Sequence, residues 1–461
     1  MDVVYHLDSQ KDFYAELDDQ LYQPEPVTDP YVVNNIVNAF VGFLVAFQDD
    51  FLQTPADLAA AIYKLIDSPL YADHHDTIIP HLIRTRALIS HNPRDLYIAY
   101  GILLYAGRDN MQVLREVMVD TTPIHNKARG KGSKLFAKLK HEVESFLGGQ
   151  KMQIVAVELM FELCRVCRLG KVDLGTSATV HAFIHSRCSL NFLADSLRFS
   201  KLSPKTLLDI IGPHFIHHLL LLVESTGDDV NESFNYGVIK LLLAFNEQFM
   251  MIQAGAQHAA EQEAVISNPV LDALANTGDG RIFGQNIIFM INRTVETTLQ
   301  LLILKLLYLI FTTPPLYEFF YTNDLCVLVD VFLRELCSLD DEDETLRQTY
   351  LRVLTPLLVN TQIRHLPYKR EIIHRALLSL IANRHFVSVN TTTQRLVRRV
   401  LVDWWGGVCG GVVELENEEE CVAVAGIEEK EEMDSGSASE TAGPELMVVA
   451  EDGVDLRVVC A

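Results

Sequence analysis

Two groups of residues in this sequence have the types and spacings that metal ions require. Cys164 and Cys167 form a C-x-x-C pair, and His214, His217 and His218 lie within one helix-like apolar segment. A closed tetrahedral zinc site needs a second pair of soft ligands, and the zinc-protease motif places a glutamate between its two helical histidines. The sequence supplies neither partner group. We therefore interpret the cysteines as core residues and the histidines as capping or packing residues, and we expect no metal.

The segment Gly130-Lys131-Gly132-Ser133 resembles part of a phosphate-binding loop. That loop needs a glycine five residues before its Gly-Lys pair and a Ser or Thr directly after the lysine. Position 125 is His and position 132 is Gly, so the spacing fails. The G-x-S-x-G turn of many hydrolases is also missing. We expect a non-enzymatic protein that needs no cofactor.

A basic segment surrounds the same lysine. Residues 120–134 read DTTPIHNKARGKGSK and contain Lys127, Arg129 and Lys131. The pattern predicts an exposed loop, and its charge would attract an acidic partner surface and steer association. The alternative is a solvated loop beside a charged helix face.

The negative charge of the chain is concentrated in its last fifty residues. The 461 residues carry a formal net charge of -23. Residues 414–461 hold fifteen acidic residues against Lys430 and Arg457, a balance of -13. Because binding to nucleic acid requires a clustered basic face, the mildly acidic remainder predicts no nucleic-acid partner.

The cysteines and apolar segments predict a cytoplasmic protein. Eight cysteines are scattered along the chain, and the opening MDVVYHLDSQ lacks the basic and apolar blocks of a secretory signal. Reduced thiols in the cytosol follow from this pattern. The apolar run 299–311 has Lys305 at its centre and is shorter than the about 20 residues that span a membrane. It predicts a buried helix and no membrane span.

Apolar residues recur at intervals of three and four throughout the chain, between Gly, Pro, Asn and Asp punctuation, which predicts an all-α fold. Thr54 before Pro55 and Asn323 before Asp324 are expected helix N-caps. Residues 253–268 and 338–344 are expected to be exposed loops. Examples of the predicted helices are 55–66, 96–105, 150–169, 206–224, 234–251, 284–311, 324–337, 344–359 and 368–381.

Helices that are apolar on all sides alternate with helices that have one polar face. An all-round apolar helix must be enclosed by neighbours, so the alternation favours a solenoid of armadillo or HEAT type. A compact irregular helical bundle is the alternative. After Trp404 and Trp405 the helical pattern ends in glycine and acidic runs. We predict a helical domain over 1–405 and an acidic, disordered tail over 406–461.

Residues 284–370 contain GQNIIFMINR, LQLLILKLLYLIFTTPPLYEFFYTNDLCVLVDVFLREL, LRQTYLRVLTPLLVNTQ and PYKR, and residues 235–250 read NYGVIKLLLAFNEQFM. These segments resemble the leucine-rich domain of the WISH/DIP/SPIN family, in particular its fungal Dip and Ldb endocytosis proteins. The resemblance implies an armadillo-like fold that binds and activates the actin-related protein 2/3 complex without a preformed filament. It further implies linear actin filaments, an indirect link to the filament end, and a location in cortical actin patches. A helical-repeat adaptor for other protein cargo is the alternative.

Polar residues within the family-like run that a core does not require are the predicted partner contacts. Tyr and Arg are frequent anchors of interfaces. The alternative is structural: Asn323 caps a helix, Arg293 pairs with a neighbouring acid, and the tyrosines bridge repeats. The predicted contacts are Asn292, Arg293, Tyr317, Glu318, Tyr321, Asn323 and Asp324.

Overall fold

The computed structural model describes residues 7, 9–118, 131–145, 149–166, 210–227, 232–258, 267–277, 280–382 and 390–411. Every regular element in these ranges is a helix, which confirms the all-α prediction. Short 3₁₀ or π turns lie at 83–87, 314–316, 341–343, 362–365 and 401–406. The α-helices are α1 Gln10–Leu21, α2 Pro30–Phe51, α3 Pro55–Ile66, α4 Pro69–Leu82, α5 Pro93–Asp109, α6 Met111–Met118, α7 Lys131–Ser145, α8 Gly149–Val166, α9 Pro213–Ser225, α10 Glu232–His258, α11 Pro269–Thr277, α12 Arg281–Arg293, α13 Thr297–Thr312, α14 Thr322–Ser338, α15 Glu344–Asn360, α16 Arg370–Ile381 and α17 Thr391–Val400.

Side-chain caps explain where several helices begin. At α3 the Thr54 hydroxyl accepts a hydrogen bond from the Asp57 main-chain N–H at 3.2 Å, and the Asp57 carboxylate accepts one from the Thr54 N–H at 2.9 Å. These bonds satisfy N–H groups that have no partner within the helix. They also hold the pKa of Asp57 below its usual value. The predicted start of a helix after Thr54 is confirmed.

The chain divides into two compact units. The first contains residues 1–176 and 187–283, and α5 lies at its centre. Residues 96–107 of α5 are buried without interruption, because α2, α3, α6 and α8 all pack against this helix. Helix α8 in turn packs against α7 and α10. A helix enclosed in this way must be apolar on all sides, as α5 is.

The second unit contains residues 177–186 and 284–461, and its described part is organised around α15. Helices α13, α14 and α17 pack against α15. The apolar run predicted as a buried helix forms most of α13, in which Leu304 and Leu307 are fully buried. Two aromatic rings meet in this core: Phe332 of α14 and Tyr350 of α15 lie edge to face, with ring centroids 5.0 Å apart.

The single helix predicted over 284–311 is wrong, because the chain forms α12 and α13 with a break at residues 294–296. The Thr294 hydroxyl accepts a hydrogen bond from the Glu296 N–H at 3.2 Å, and the Gln300 side chain donates to the Thr294 carbonyl at 3.1 Å. Such local bonds compete with helical hydrogen bonding. Val295 at the break is 96% exposed.

Two predicted loops also need correction. Helix α10 continues to His258, and Asn268 at the far end of the expected exposed segment is only 3% exposed. The Asn268 amide donates to the Asn246 side chain at 2.8 Å and accepts from the Val270 N–H at 3.1 Å, which caps α11. Lys131 begins α7, so helix extends into the expected basic loop.

One helix in the described part of the chain, α2, is long and apolar enough to cross a membrane by length and composition. The core helix of a water-soluble fold passes the same test. Val33, Val37, Phe40 and Leu44 of α2 are fully buried, and the helix packs against α1, α4 and α5. These buried residues belong to the core of the first unit.

Candidate interaction surface

In the second unit, α14 and the turn before it contact α12 at two places. At the start of α12, the Cα of Gly284 lies against the rings of Phe319 and Phe320, which directly precede α14. Near the other end, Arg334 of α14 donates to the Asn292 side-chain oxygen at 2.6 Å and to its main-chain oxygen at 3.2 Å. Seven exposed residues of α12, α14 and the N-cap of α14 form what we call the α12–α14 surface: Phe289, Asn292, Arg293, Tyr321, Asn323, Val327 and Arg334.

The downstream end of this surface combines charge with exposed apolar area. The Arg293 guanidinium lies 5.5 Å from the centre of the Phe289 ring, a cation–π distance, and Phe289 is 49% exposed. Arg334 also pairs with Glu335 at 2.7 Å, so its guanidinium is held in place from two sides. An oriented Arg beside an exposed aromatic ring is a frequent composition for the centre of an interface.

Arg334 is the residue that sequence reasoning missed. A helical face could have identified it, because Asn323, Val327, Asp330 and Arg334 recur at the spacing of one stripe along α14. Its link to Asn292 crosses 42 residues of sequence and has no local signal.

The upstream end of the helix pair holds the remaining predicted contacts of this unit. Tyr321 is 61% exposed, Glu318 and Asn323 are exposed, and Tyr317 and Asp324 are half-buried. The expected Asn323 cap is wrong: α14 begins at Thr322, and its N-cap is Tyr321, which makes no side-chain cap bond. The Tyr321 backbone is extended, with φ -70° and ψ 153°, so the helix begins earlier than Asn323. The Tyr321 side chain, which forms no cap bond, lies on the surface.

Asp330 of α14 contacts two residues that precede α16. The Asp330 carboxylate accepts a hydrogen bond from the Tyr368 hydroxyl at 3.0 Å and pairs with Lys369 at 2.7 Å. Burial, and then the bond to Asp330, raises the pKa of the Tyr368 hydroxyl. These contacts join α14 to the segment before α16, so α14 is held by a neighbouring segment on the side of Asp330.

Most of the basic segment 120–134 lies outside the residues that the structure describes. Lys127 and Arg129 lie outside the described residues, and Lys131 is the first residue of α7 with its side chain outside the description. Their role as partner contacts therefore stays a prediction.

The residues considered for metal binding have other surroundings. Cys164 is 4% exposed and Cys167 lies outside the described residues. His214 and His217 are exposed, whereas His218 is half-buried with its Nε2 atom 3.4 Å from the Val143 carbonyl. Among the residues that the structure describes, no group of three or more His, Cys, Asp or Glu side chains is placed to hold a metal ion.

The first unit contains an open hollow of about 500 Å³ between α1 and α3. The ion pair between Lys64 and Asp18 crosses it at 2.8 Å, and the Tyr63 hydroxyl at its edge donates to Asp109 at 3.0 Å. Burial and Asp109 raise the pKa of Tyr63. The lining mixes apolar and polar side chains, and the charge of Lys64 is offset by Asp18.

Comparison with known proteins supports a single family. Residues 231–373 match the family model described as SPIN90/Ldb17, leucine-rich domain. The chain is 30% identical to protein dip1 of Schizosaccharomyces pombe over 412 residues, which cover 87% of this chain and 96% of dip1. It is 38% identical to protein LDB17 of Saccharomyces cerevisiae over 173 residues, or 37% of this chain and 33% of that protein. Protein LDB17 of Eremothecium gossypii is 30% identical over 184 residues, covering 40% of this chain and 38% of that protein.

Proposed function

Because the chain belongs to the SPIN90/Ldb17 family, we propose that it is a non-enzymatic activator of the actin-related protein 2/3 complex. The observation that carries the proposal is the extent of the similarity to dip1, which covers 96% of that protein. The partner and the reaction come from the family resemblance. The activity would be nucleation of linear actin filaments without a preformed filament.

The family also supplies the finer expectations. We propose that the helices stack in an armadillo-like or HEAT-like manner within the domain 1–405, followed by the acidic tail 406–461. We further propose that the protein acts in the cytoplasm, at cortical actin patches during endocytosis. The helix pairs that pack around α5 and α15 support the first of these points.

Activation by binding needs no catalytic residue in this chain. An activator must bind the active arrangement of the complex better than the inactive one. Shifting such an equilibrium from 1:99 to 99:1 takes a differential affinity of roughly 5.5 kcal/mol. A helical scaffold can accumulate this free energy over several contacts that form together only in the active arrangement.

The α12–α14 surface is the part of the described chain that we propose contacts the complex. It joins exposed apolar area at Phe289 and Val327 to the charges of Arg293 and Arg334. Both arginines are braced, Arg293 by the Phe289 ring and Arg334 by Asn292 and Glu335. Side chains that are ordered before binding lose less conformational entropy in the complex.

The direct test follows actin polymerisation with purified complex and monomeric actin, without any other activator or filament seed, while filaments are imaged. We expect rapid appearance of unbranched filaments that requires both the complex and this protein. Failure of the folded protein to accelerate assembly would favour an adaptor for other cargo instead.

A second test concerns the surface. We expect the double variant R293A/R334A to bind the complex at least tenfold more weakly in a pull-down titration, because truncating anchor arginines at an interface costs at least about 1–2 kcal/mol. The matched control is R94A, which removes an exposed, ion-paired arginine of α5 in the first unit. Unchanged affinity of the double variant, with melting like that of the parent, would remove this surface from the proposal.

A further inference from the structure

The last two described helices of the second unit, α16 and α17, and the residues beside them are basic within a chain whose net charge is -23. The described residues 361–382 and 390–411 contain seven Arg or Lys against two Asp or Glu, a balance of +5. All of these charges lie on or beside α16 and α17, which pack against each other. We call this surface the basic end; its cations are Arg364, Lys369, Arg370, Arg375, Arg395, Arg398 and Arg399.

Part of this positive charge has no acidic neighbour. Arg375 of α16 and Arg395 of α17 are exposed, and neither pairs with a carboxylate of the described residues. Burial, and then the charge of Arg395, lowers the pKa of Arg352 of α15, so a further cation lies beneath the surface. Lys369 pairs with Asp330 of α14 and Arg399 pairs with Asp403, which still leaves Arg375 and Arg395 without a paired carboxylate among the described residues.

The chain leaves the described fold beside this surface. The Trp405 indole stacks on the His374 imidazole of α16, with ring centroids 4.1 Å apart and planes 17° from parallel. The backbone of Gly411 lies against the same indole, where no side chain has room. Burial raises the pKa of the Cys409 thiol, and the positive charge of Arg370 partly offsets this rise. Residues 409–411 are therefore held next to α16.

The sequence that follows carries the complementary charge. Five carboxylates occur within nine residues of Gly411, at Glu414, Glu416, Glu418, Glu419 and Glu420. Nine extended residues span up to about 30 Å, because each residue adds at most about 3.3–3.6 Å. Helix α16 is about 18 Å long for its 12 residues. The acidic run is thus long enough to extend along the whole of α16.

We propose that the acidic run 414–420 docks on the basic end of its own chain. Exposed ion pairs are individually weak, but a segment tethered next to its site is present at an effective concentration of about the millimolar range. Several weak pairs then suffice for a populated contact. The contact is electrostatic and screened, since the Debye length falls from about 10 Å at 0.1 M salt to about 3 Å at 1 M. In its docked state the tail would cover Arg375 and Arg395 against other acidic partners.

The test measures arginine accessibility in the isolated full-length protein. Phenylglyoxal modifies arginine side chains, and peptide mass spectrometry gives the rate at each position. We compare the parent with a variant in which the five glutamates of the run are changed to glutamine. The matched control variant changes the next five acids to amides: Glu428, Glu429, Glu431, Glu432 and Asp434. Arg84, an exposed arginine of the first unit, is the internal reference.

We expect Arg375 and Arg395 to react at least threefold faster in the first variant, and in the parent at 0.5 M salt, relative to Arg84. The control variant should react like the parent. Equal rates in the parent and the first variant at low salt would overturn the proposal and leave the surface free for an external acidic partner. Equal acceleration in both variants would overturn it as a general effect of net charge. Protection that increases with protein concentration would overturn it in favour of a second copy. Since no actin-related complex is present, the result is independent of the proposed function.

Discussion

The Tyr350 hydroxyl gives the sharpest test of the packing in the second unit. Tyr350 of α15 is fully buried, and its ring packs edge to face on Phe332. No hydrogen-bond partner accompanies the buried hydroxyl among the described residues. Burial raises the pKa of this phenol strongly, so it stays neutral at every pH of interest. We expect Tyr350→Phe to stabilise the protein, the reverse of the usual effect of removing a polar group.

The magnitude follows from two opposing contributions. An unsatisfied buried polar group costs about 1–3 kcal/mol in lost hydration, and the substitution removes that cost. Deleting one oxygen leaves a void of about 15 Å³, which at about 24 cal/mol per Å³ costs roughly 0.4 kcal/mol. The ring contact with Phe332 is kept in the variant. The free energy of unfolding should therefore rise by about 1–2 kcal/mol.

Urea unfolding of the full-length protein, followed by circular dichroism, measures the change. The control is Tyr368→Phe in the same unit, because the Tyr368 hydroxyl donates to Asp330 at 3.0 Å. Its removal should lower the free energy of unfolding by about 0.5–1.5 kcal/mol. Equal destabilisation by both substitutions would contradict the prediction and show that the Tyr350 hydroxyl has a hydrogen-bond partner.

Three further predictions concern other parts of the fold. Burial lowers the pKa of His374 below its ordinary value of 6.5, so the unfolded chain takes up the proton first as the pH falls. Stability should decline below about pH 6.5, and His374→Phe should make unfolding curves at pH 7.5 and 5.5 more alike. Gly42→Ala should stabilise α2 by about 1 kcal/mol in thermal melts, because open space surrounds the new methyl group. Gly107→Ala should instead lower the stability by about 1–3 kcal/mol, because the new methyl group would clash with the buried Leu114 side chain. Glu224→Gln should lower the free energy of unfolding by about 1 kcal/mol, because the Glu224 carboxylate accepts hydrogen bonds from the first N–H groups of α12 at 3.3 and 3.1 Å. Urea unfolding measures the change, with Glu25→Gln at an exposed position as the control. Equal unfolding midpoints for the two variants would contradict the capping role of Glu224.

Local signals in the sequence predict most of the helices. The start of α3 follows from Thr54 and Pro55, and the start of α15 at Glu344 is as predicted. Helical hydrogen bonds join residues four apart and caps act within one turn, so a short window of sequence contains the relevant information. The family resemblance also needs only the sequence, and similarity to dip1 over most of the chain confirms it.

Tertiary contacts decide the features that a local window cannot contain. The cap of α12 comes from Glu224, 58 and 59 residues before the groups it binds, and Arg334 reaches Asn292 across 42 residues. Neither pairing leaves a local pattern, because each depends on which helices become neighbours. The exposure of Phe289 is decided in the same way. Residue types and spacings thus determine the helices and the family of this protein, whereas the packing of distant helices determines which charges are braced, which are left exposed, and which surface is available to a partner.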